Sequence, residues 1–407
     1  MFIKRNLETA FQAANQSFSV LLLTGARQVG KTTFLRYLAG ENRKFVSLDN
    51  LDYRRMAKTD PRLFLSNFPP PVIIDEIQYA PELLPYIKMA VDEARFKDAP
   101  NSNGMFWLTG SQQFHLMKGV TESLAGRVAI FNLLGLSNHE LAGCTNQPFL
   151  PEDFSGSGMN MVEAPELFHR IWRGSFPGMI TLQDSDWNTF YNSYVQTYLE
   201  RDIRDLTQVA DLGRFFAFLK TAAARTGQML NYAALARDAD ISQPTAKSWV
   251  SLLVTSGLAY LLPPYYKNVN QRITSTAKFY FLDTGLAAYL TSWNTPQVLC
   301  DGAMSGAFFE TWCVSELLKS YLHNGKQPPF FYYRDKDKRE IDLVIENNGS
   351  LYPIEFKKSA APKTSDITAF RLLEQYKMSL GKGALISMNP DTLMLTESCR
   401  TIPAPLL

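Results

Sequence analysis

Short, unbroken apolar runs recur along the first third of the chain, and stretches with helical spacing fall between them. The runs are Val20–Leu23, the centre of Lys44–Asp49, Val72–Ile74, Met105–Leu108 and Val128–Phe131. Two to four successive apolar residues without polar alternation read as buried strands. Helices are predicted over Asn6–Asn15, Thr33–Ala39, about Pro81–Phe96 and Leu116–Ala125, with a short one between the breaks at Asp60-Pro61 and Pro69-Pro70-Pro71. Strands alternating with helices place residues 1–145 in the α/β class.

The pattern changes after that. The stretch 146–158 is rich in Pro, Gly, Ser and Asn and reads as a loop, and amphipathic helices follow over Ala164–Arg173 and Trp187–Leu206. Residues 146–208 are therefore expected to form a helical lid or connector. Arg201 and Arg204 there are either nucleotide sensors or part of a solvated helix face. Next come helices over Phe215–Arg225 and Asn231–Asp238, a turn at Asp240-Ile241, and a helix Gln243–Ser256 capped by Ser242 and closed by Gly257. Strands over Leu258–Leu262 and Lys278–Asp283 complete a winged-helix pattern across 209–298. Gln243, Thr245, Lys247 and Ser248 stand at the start of its recognition helix. One lysine and no arginine there leaves DNA contact open against a packing or lid role.

Composition narrows the classes. The 407 residues suit two to four domains, and a net charge of +2 gives no global field for nucleic acid, so any such surface is local. Cys144, Cys300, Cys313 and Cys399 lie far apart without a CxxC pair, and the four histidines are equally scattered. Neither a disulfide framework nor a zinc site is indicated. No run reaches transmembrane length and no signal-peptide core is present, so a soluble, cytoplasmic protein with no membrane partner is expected.

The strongest chemistry follows the first apolar run. Gly25-Ala26-Arg27-Gln28-Val29-Gly30-Lys31-Thr32-Thr33 fits the P-loop pattern in full. Its glycines let backbone N–H groups curl around phosphate oxygens. Lys31 offers a point charge to the β/γ-phosphates, Thr32 a hydroxyl to Mg²⁺, and the helix N-terminus faces the phosphates. Asp75, ending the third run, is the expected Walker-B carboxylate in the Mg²⁺ shell. Glu76 is placed to orient and deprotonate water; the plain alternative for the pair is a solvated strand end. The fourth run ends in Thr109-Gly-Ser111, a sensor position for which Ser111 is preferred, although turn chemistry also explains both hydroxyls. Arg127, between a helix end and the fifth strand, is either a finger for a neighbouring subunit's site or a surface arginine.

These motifs together resemble AAA+-type ATPases of a bacterial and archaeal family. The residues that carry the resemblance are 25–33, Ser47-Leu-Asp49, Ile73-Ile-Asp-Glu-Ile-Gln-Tyr-Ala-Pro-Glu-Leu83, Leu108-Thr-Gly-Ser111 and Leu124-Ala-Gly-Arg-Val128. The P-loop and Asp75 call for ATP and Mg²⁺ as cofactors; the resemblance implies a parallel sheet of order 5-1-4-3-2, with the sensor strand between the P-loop and Walker-B strands, and completion of the site in trans by a homo-oligomer, a ring being possible.

A second constellation lies in 299–407. Glu310 falls on a helix running to about Tyr321, and strands follow over Phe330–Arg334, Glu340–Glu346 and Tyr352–Lys357. Strand alternation puts Glu355 and Lys357 on one face, with Ile341, Leu343, Ile354 and Phe356 on the other. Asp342, Glu355 and Glu310 are candidate Mg²⁺ ligands, and Lys357 a residue to position or activate water. The arrangement resembles the PD-(D/E)xK nuclease fold; the plain alternative is a strand with alternating charges and no metal. The whole reads as an ATP-binding and hydrolysing protein that remodels or translocates DNA, possibly branched DNA. Two other classes stay open: a nucleotide switch for protein partners with a degenerate nuclease-like domain, and an ATP-gated nuclease.

Overall fold

The computed structural model describes residues 2–97, 102–110, 120, 122–199, 212–268, 272 and 275–407. The chain divides into two compact units. The first comprises Met1–Gly135 with Thr255–Gly257 and Leu322–Lys326, and the second comprises the remainder.

In the first unit the five apolar runs become strands β1 (Val20–Thr24), β2 (Lys44–Ser47), β3 (Val72–Asp75), β4 (Phe106–Gly110) and β5 (Val128–Asn132). All pair in parallel, in the order β2-β3-β4-β1-β5. Every residue of β1, β3 and β4 is buried, which is why these strands lack polar alternation. β1 lies between the central strand β4 and the edge strand β5, and the loop leaving Thr24 emerges at the carboxyl end of the strands. In open α/β sheets that edge is where ligands bind.

Helix α1 (Leu7–Asn15) covers the sheet with Phe11, whose ring meets Phe34, Trp107 and Phe131 at 5.1–5.6 Å. Asn15 Oδ1 accepts from Trp107 Nε1 at 2.7 Å, pinning the helix end. Helix α2 (Lys31–Ala39) follows the β1 loop, and α3 (Leu51–Thr59), α4 (Pro61–Asn67) and α5 (Leu83–Phe96) complete the cover. Asn50 and Asp60 cap α3 and α4 by accepting backbone N–H bonds, with Pro61 at the first turn of α4. Half of the predicted helix Leu116–Ala125 lies outside the described residues; residues 120 and 122–124 are helical.

In the second unit, α6 (Ala164–Arg173) buries Leu167, Phe168, Ile171 and Trp172. The helix predicted from Trp187 runs as α7 (Trp187–Tyr194) and then widens into a π turn over Val195–Leu199. Arg201 and Arg204 lie outside the described residues. Next come α8 (Leu212–Ala223), β6 (Gln228–Met229), α9 (Tyr232–Asp238), α10 (Gln243–Thr255), β7 (Ala259–Leu262) and β8 (Lys278–Phe281). The three strands pair antiparallel in the order β6-β8-β7. Strand β6, two residues long, was not anticipated, because two residues carry no periodic signal. Asn231 caps α9, and Ser242 Oγ accepts from Thr245 N at 3.2 Å at the start of α10.

The long helix α11 (Ser305–Leu322) precedes a mixed sheet of β9 (Phe330–Arg334), β10 (Glu340–Asn347), β11 (Ser350–Lys357), β12 (Ser379–Leu380), β13 (Gly383–Ser387), β14 (Met394–Thr396) and β15 (Cys399–Pro403). Its order is β14-β15-β13-β11-β10-β9, with β12 beside β11. The expectation of one apolar and one charged face on β10 and β11 needs correction. Ile341, Leu343, Val344, Ile345 and Ile354 are all fully buried, so both faces of this sheet are covered.

Candidate nucleotide site and acidic cluster

The loop after β1 is shaped by its backbone. Gly25 has φ +144° and Gly30 φ +94°. A Cβ at Gly25 would fall 2.1 Å from Leu133 O, so a side chain there is excluded. Gln28, exposed, also adopts positive φ at 61°. Ala26 and Val29 are buried, Arg27 donates to Tyr79 OH at 3.4 Å, and Thr33 faces solvent. Lys31, opening α2, is 6% exposed, and its Nζ donates to Gly25 O (2.9 Å) and Ala26 O (2.7 Å). The ammonium is thus folded back over the loop that would cradle phosphate.

Beside it lies Asp75. Its Oδ1 accepts from Thr32 Oγ1 at 2.8 Å and from Thr109 Oγ1 at 2.6 Å, and its Oδ2 from Ser47 Oγ at 3.4 Å. Burial pushes this carboxyl up, against the Thr109 and Thr32 hydrogen bonds that pull it down. Immediately after Asp75 the backbone reverses: Glu76 sits in the left-handed region at φ 57°, ψ 49°. A non-glycine residue there costs about 1–3 kcal/mol, which the bonds around it must hold. The reversal is held by Glu76 N donating to Thr109 Oγ1 at 2.9 Å, and Gln78 Nε2 donates to the Glu76 carboxylate. Thr109 therefore links the Asp75 carboxylate to the backbone of Glu76. Ser111, the residue preferred at the sequence level, lies outside the described residues.

Two contributors carried no sequence signal. The buried Arg5 donates to Val29 O (3.0 Å), Leu134 O (2.6 Å) and Gly135 O (3.1 Å), bracing the loop against the exit of β5. Gly257, read only as a helix terminator, belongs with the first unit, and a Cβ on it would lie 3.0 Å from Ala26 N. Arg127 is engaged within its own chain, with Nε donating to Asp92 Oδ1 at 2.6 Å and Nη1 to Ala125 O at 3.0 Å.

The loop's glycine-dependent curl, the retracted lysine and the Thr32–Asp75 pair fit Mg²⁺-nucleotide. Residues 17–142 match the family model described as AAA domain. Residues 17–142 form an AAA-like P-loop domain. Residues 164–297 and 305–407 match two models described as domains of unknown function (DUF8612 and DUF4143). The uncharacterized proteins Rv2008c of Mycobacterium tuberculosis and Mb2031c of Mycobacterium bovis are each 28% identical to this chain, over 98% of it and 83% of their own length. Among solved structures, the Walker-type ATPase paby2304 of Pyrococcus abyssi is similar at 15% identity and TM-score 0.43, covering 71% of this chain and 96% of that one. RuvB of Thermotoga maritima is similar at 16% identity and TM-score 0.29, covering 64% and 89%. Among the described residues no helix is long and apolar enough to cross a membrane.

The second constellation gathers in the second unit. Leu343 pairs with Ile354, so one step along the antiparallel register Asp342 stands opposite Glu355. The β10–β9 pairing slips between Ile341 and Val344, a bulge of the kind that re-aims side chains, and it spans Asp342. Lys357 Nζ donates to Glu355 Oε1 at 2.7 Å, and Phe356 N to Asp342 Oδ2 at 3.1 Å. From α11, Glu310 Oε1 accepts from Tyr280 OH at 2.6 Å. Between Glu310 and Asp342 stands Lys278 of β8, a residue the sequence did not mark: its Nζ is 3.0 Å from Glu310 Oε1 and 3.4 Å from Asp342 Oδ1.

The electrostatics follow from burial. Burial, reinforced by Asp342, pushes the Glu310 carboxyl up to about 7 and the Glu355 carboxyl up to about 8. Lys278 is held well above its ordinary value: burial opposes its charge, but Tyr280, Glu310, Asp342 and Glu340 outweigh it. The raised Glu355 value has a pH consequence. Between the unfolded carboxyl range and about 8 the folded state holds a proton that the unfolded chain releases. This contribution to stability is full at low pH and is lost as pH rises through about 8. Glu355→Gln, which mimics the protonated acid, should therefore gain stability over wild type between about pH 5 and about pH 8.5, by on the order of a few kcal/mol. Paired urea melts across that range test this, and a constant difference would refute it.

Proposed function

We propose that this protein binds and hydrolyses Mg²⁺-ATP and applies that cycle to DNA. The observation that carries the first half is the Asp75 carboxylate, shared by Thr32 and Thr109 beside the reversed backbone of Glu76. Mg²⁺-ATP supplies an electrophilic γ-phosphoryl group. Lys31 exchanges its two loop carbonyls for phosphate oxygens, and the N–H groups of residues 26–33 line the cradle. Thr32 and Asp75 would hold the ion, Asp75 through its oxygens or through water. Glu76, kept apart from Asp75 by the backbone reversal, orients water and takes its proton. Thr109 fixes the Glu76 backbone beside the Asp75 carboxylate. Arg127 is paired with Asp92 in its own chain; as a finger it would act on the site of a second copy, which is a separate matter of assembly.

DNA is proposed as the substrate on the strength of α10. From Leu212 to Phe281 the chain runs helix, strand, helix, helix, strand, strand, the order of a winged helix, and Gln243, Lys247 and Ser248 are exposed at the start of its third helix. Those side chains are free to meet phosphates and base edges. Residues 299–407 enter the proposal as a PD-(D/E)xK-like fold only, with no cleavage step assigned. The test is ATP turnover titrated with duplex, forked and single-stranded DNA. Stimulation of several-fold is expected, together with its loss in Lys247→Glu, whose exposed position spares the fold. Turnover indifferent to every DNA shape, with no DNA retained on a filter, would leave an ATP-driven switch for protein partners instead.

A further inference from the structure

The acidic cluster of the second unit does not fit the divalent metal that its sequence pattern implies. Among the described residues no three carboxylate, histidine or cysteine side chains are arranged to hold a metal ion. The oxygens that would do so are already engaged. Glu310 Oε1 takes both Lys278 Nζ and Tyr280 OH, Asp342 Oδ1 takes Lys278 Nζ, and Asp342 Oδ2 takes Phe356 N. Lys278 Nζ also lies 2.5 Å from Glu340 Oε1, and Arg334 Nη1 lies 3.4 Å from Glu340 Oε2. An ammonium has three N–H donors, and here three carboxylates surround it.

We infer that Lys278 is the resident cation of this cluster, standing between Glu310 and Asp342 on the oxygens a divalent ion would need, so that the folded chain takes no Mg²⁺ or Mn²⁺ there. Three features carry this beyond a surface salt bridge. The Lys278 side chain is only 4% exposed, so its charge is not shared with water. A divalent ion needs oxygens at about 2.0–2.6 Å, and an ammonium among the same carboxylates leaves it no room. The remaining oxygen, Glu355 Oε2, is buried and has no partner, with its side chain 9% exposed. Its other oxygen, Oε1, takes Lys357 Nζ, so this carboxyl too has an ammonium of its own chain as partner. The lysine arrives on β8, the strand that also pairs with β6 and β7, so the cluster joins α11 and β10 to the three-stranded sheet. Removing the ammonium leaves carboxylates gathered without a counter-charge, a poor state that a divalent ion relieves.

The experiment is Mn²⁺ titration of the full chain without nucleotide, followed by electron paramagnetic resonance and by thermal unfolding. Wild type and Asp342→Asn should bind Mn²⁺ alike and melt at midpoints that Mn²⁺ does not move. Lys278→Met should acquire one Mn²⁺ site and gain about 4 °C or more in midpoint with saturating Mn²⁺. Both gains should vanish in the Lys278→Met, Asp342→Asn double variant. A Mn²⁺ site in wild type that Asp342→Asn removes would overturn the inference. So would a Lys278→Met chain that neither binds Mn²⁺ nor is stabilised by it. Should Lys278→Met fold poorly, recovery of its folding transition by Mn²⁺ is the expected result and absence of recovery the adverse one, while the wild-type comparison stands regardless.

Discussion

Glu76→Gln is expected to bind ATP as wild type does and to turn it over about 10²- to 10⁴-fold more slowly, the range a positioned general base contributes. The substitution keeps the side chain's length and its hydrogen-bonding partner Gln78, and it leaves intact the backbone bond from residue 76 to Thr109. Asp75, Thr32 and Lys31 are untouched, so the groups that would hold phosphate and Mg²⁺ remain. Only the capacity to accept a proton from water is lost, and that loss is confined to the chemical step. Single-turnover hydrolysis with direct measurement of ATP affinity separates the two. Turnover within about twofold of wild type would remove Glu76 from the reaction.

Lys31→Ala should lose affinity for ATP by about 10²-fold or more. Two charge-assisted hydrogen bonds to phosphate contribute about 1.5–3 kcal/mol each, and their joint loss is at least about 3 kcal/mol. The ammonium is buried and its resting partners are the loop carbonyls Gly25 O and Ala26 O, so it has only a short distance to move to reach phosphate. Its removal also leaves those carbonyls without a donor, so calorimetric titration should be paired with a melt of the nucleotide-free chain. A folded Lys31→Ala chain that binds ATP as wild type does would refute the assignment of this loop to phosphate.

Much of the first unit is written locally. Strands buried on both faces must be apolar at every position, so Val20–Leu23 and Val72–Ile74 announce themselves. A loop that wraps phosphate needs glycine where φ is positive and a lysine where the helix begins, and Gly25, Gly30 and Lys31 stand within seven residues. Asp75 and Glu76 are legible for the same reason, since they end such a strand. The direction of Glu76 was not legible, because the left-handed turn that parts it from Asp75 is held by Thr109, a residue 33 positions away.

What tertiary structure alone decided are the long-range partners. Arg5 reads as one more basic residue before a helix, yet it ends up buried against three carbonyls of two distant loops. In the second unit, alternation along β10 and β11 could separate charged from apolar positions, but it could not show that both faces would be covered or that a bulge would re-aim Asp342. Least of all could it place Lys278, 64 positions before Asp342, between that carboxylate and Glu310. Hydrophobic period and turn chemistry depend on neighbours in the chain, and a sequence records them directly. Which cation neutralises a buried carboxylate depends on which strand packs beside it, and only the folded chain sets that.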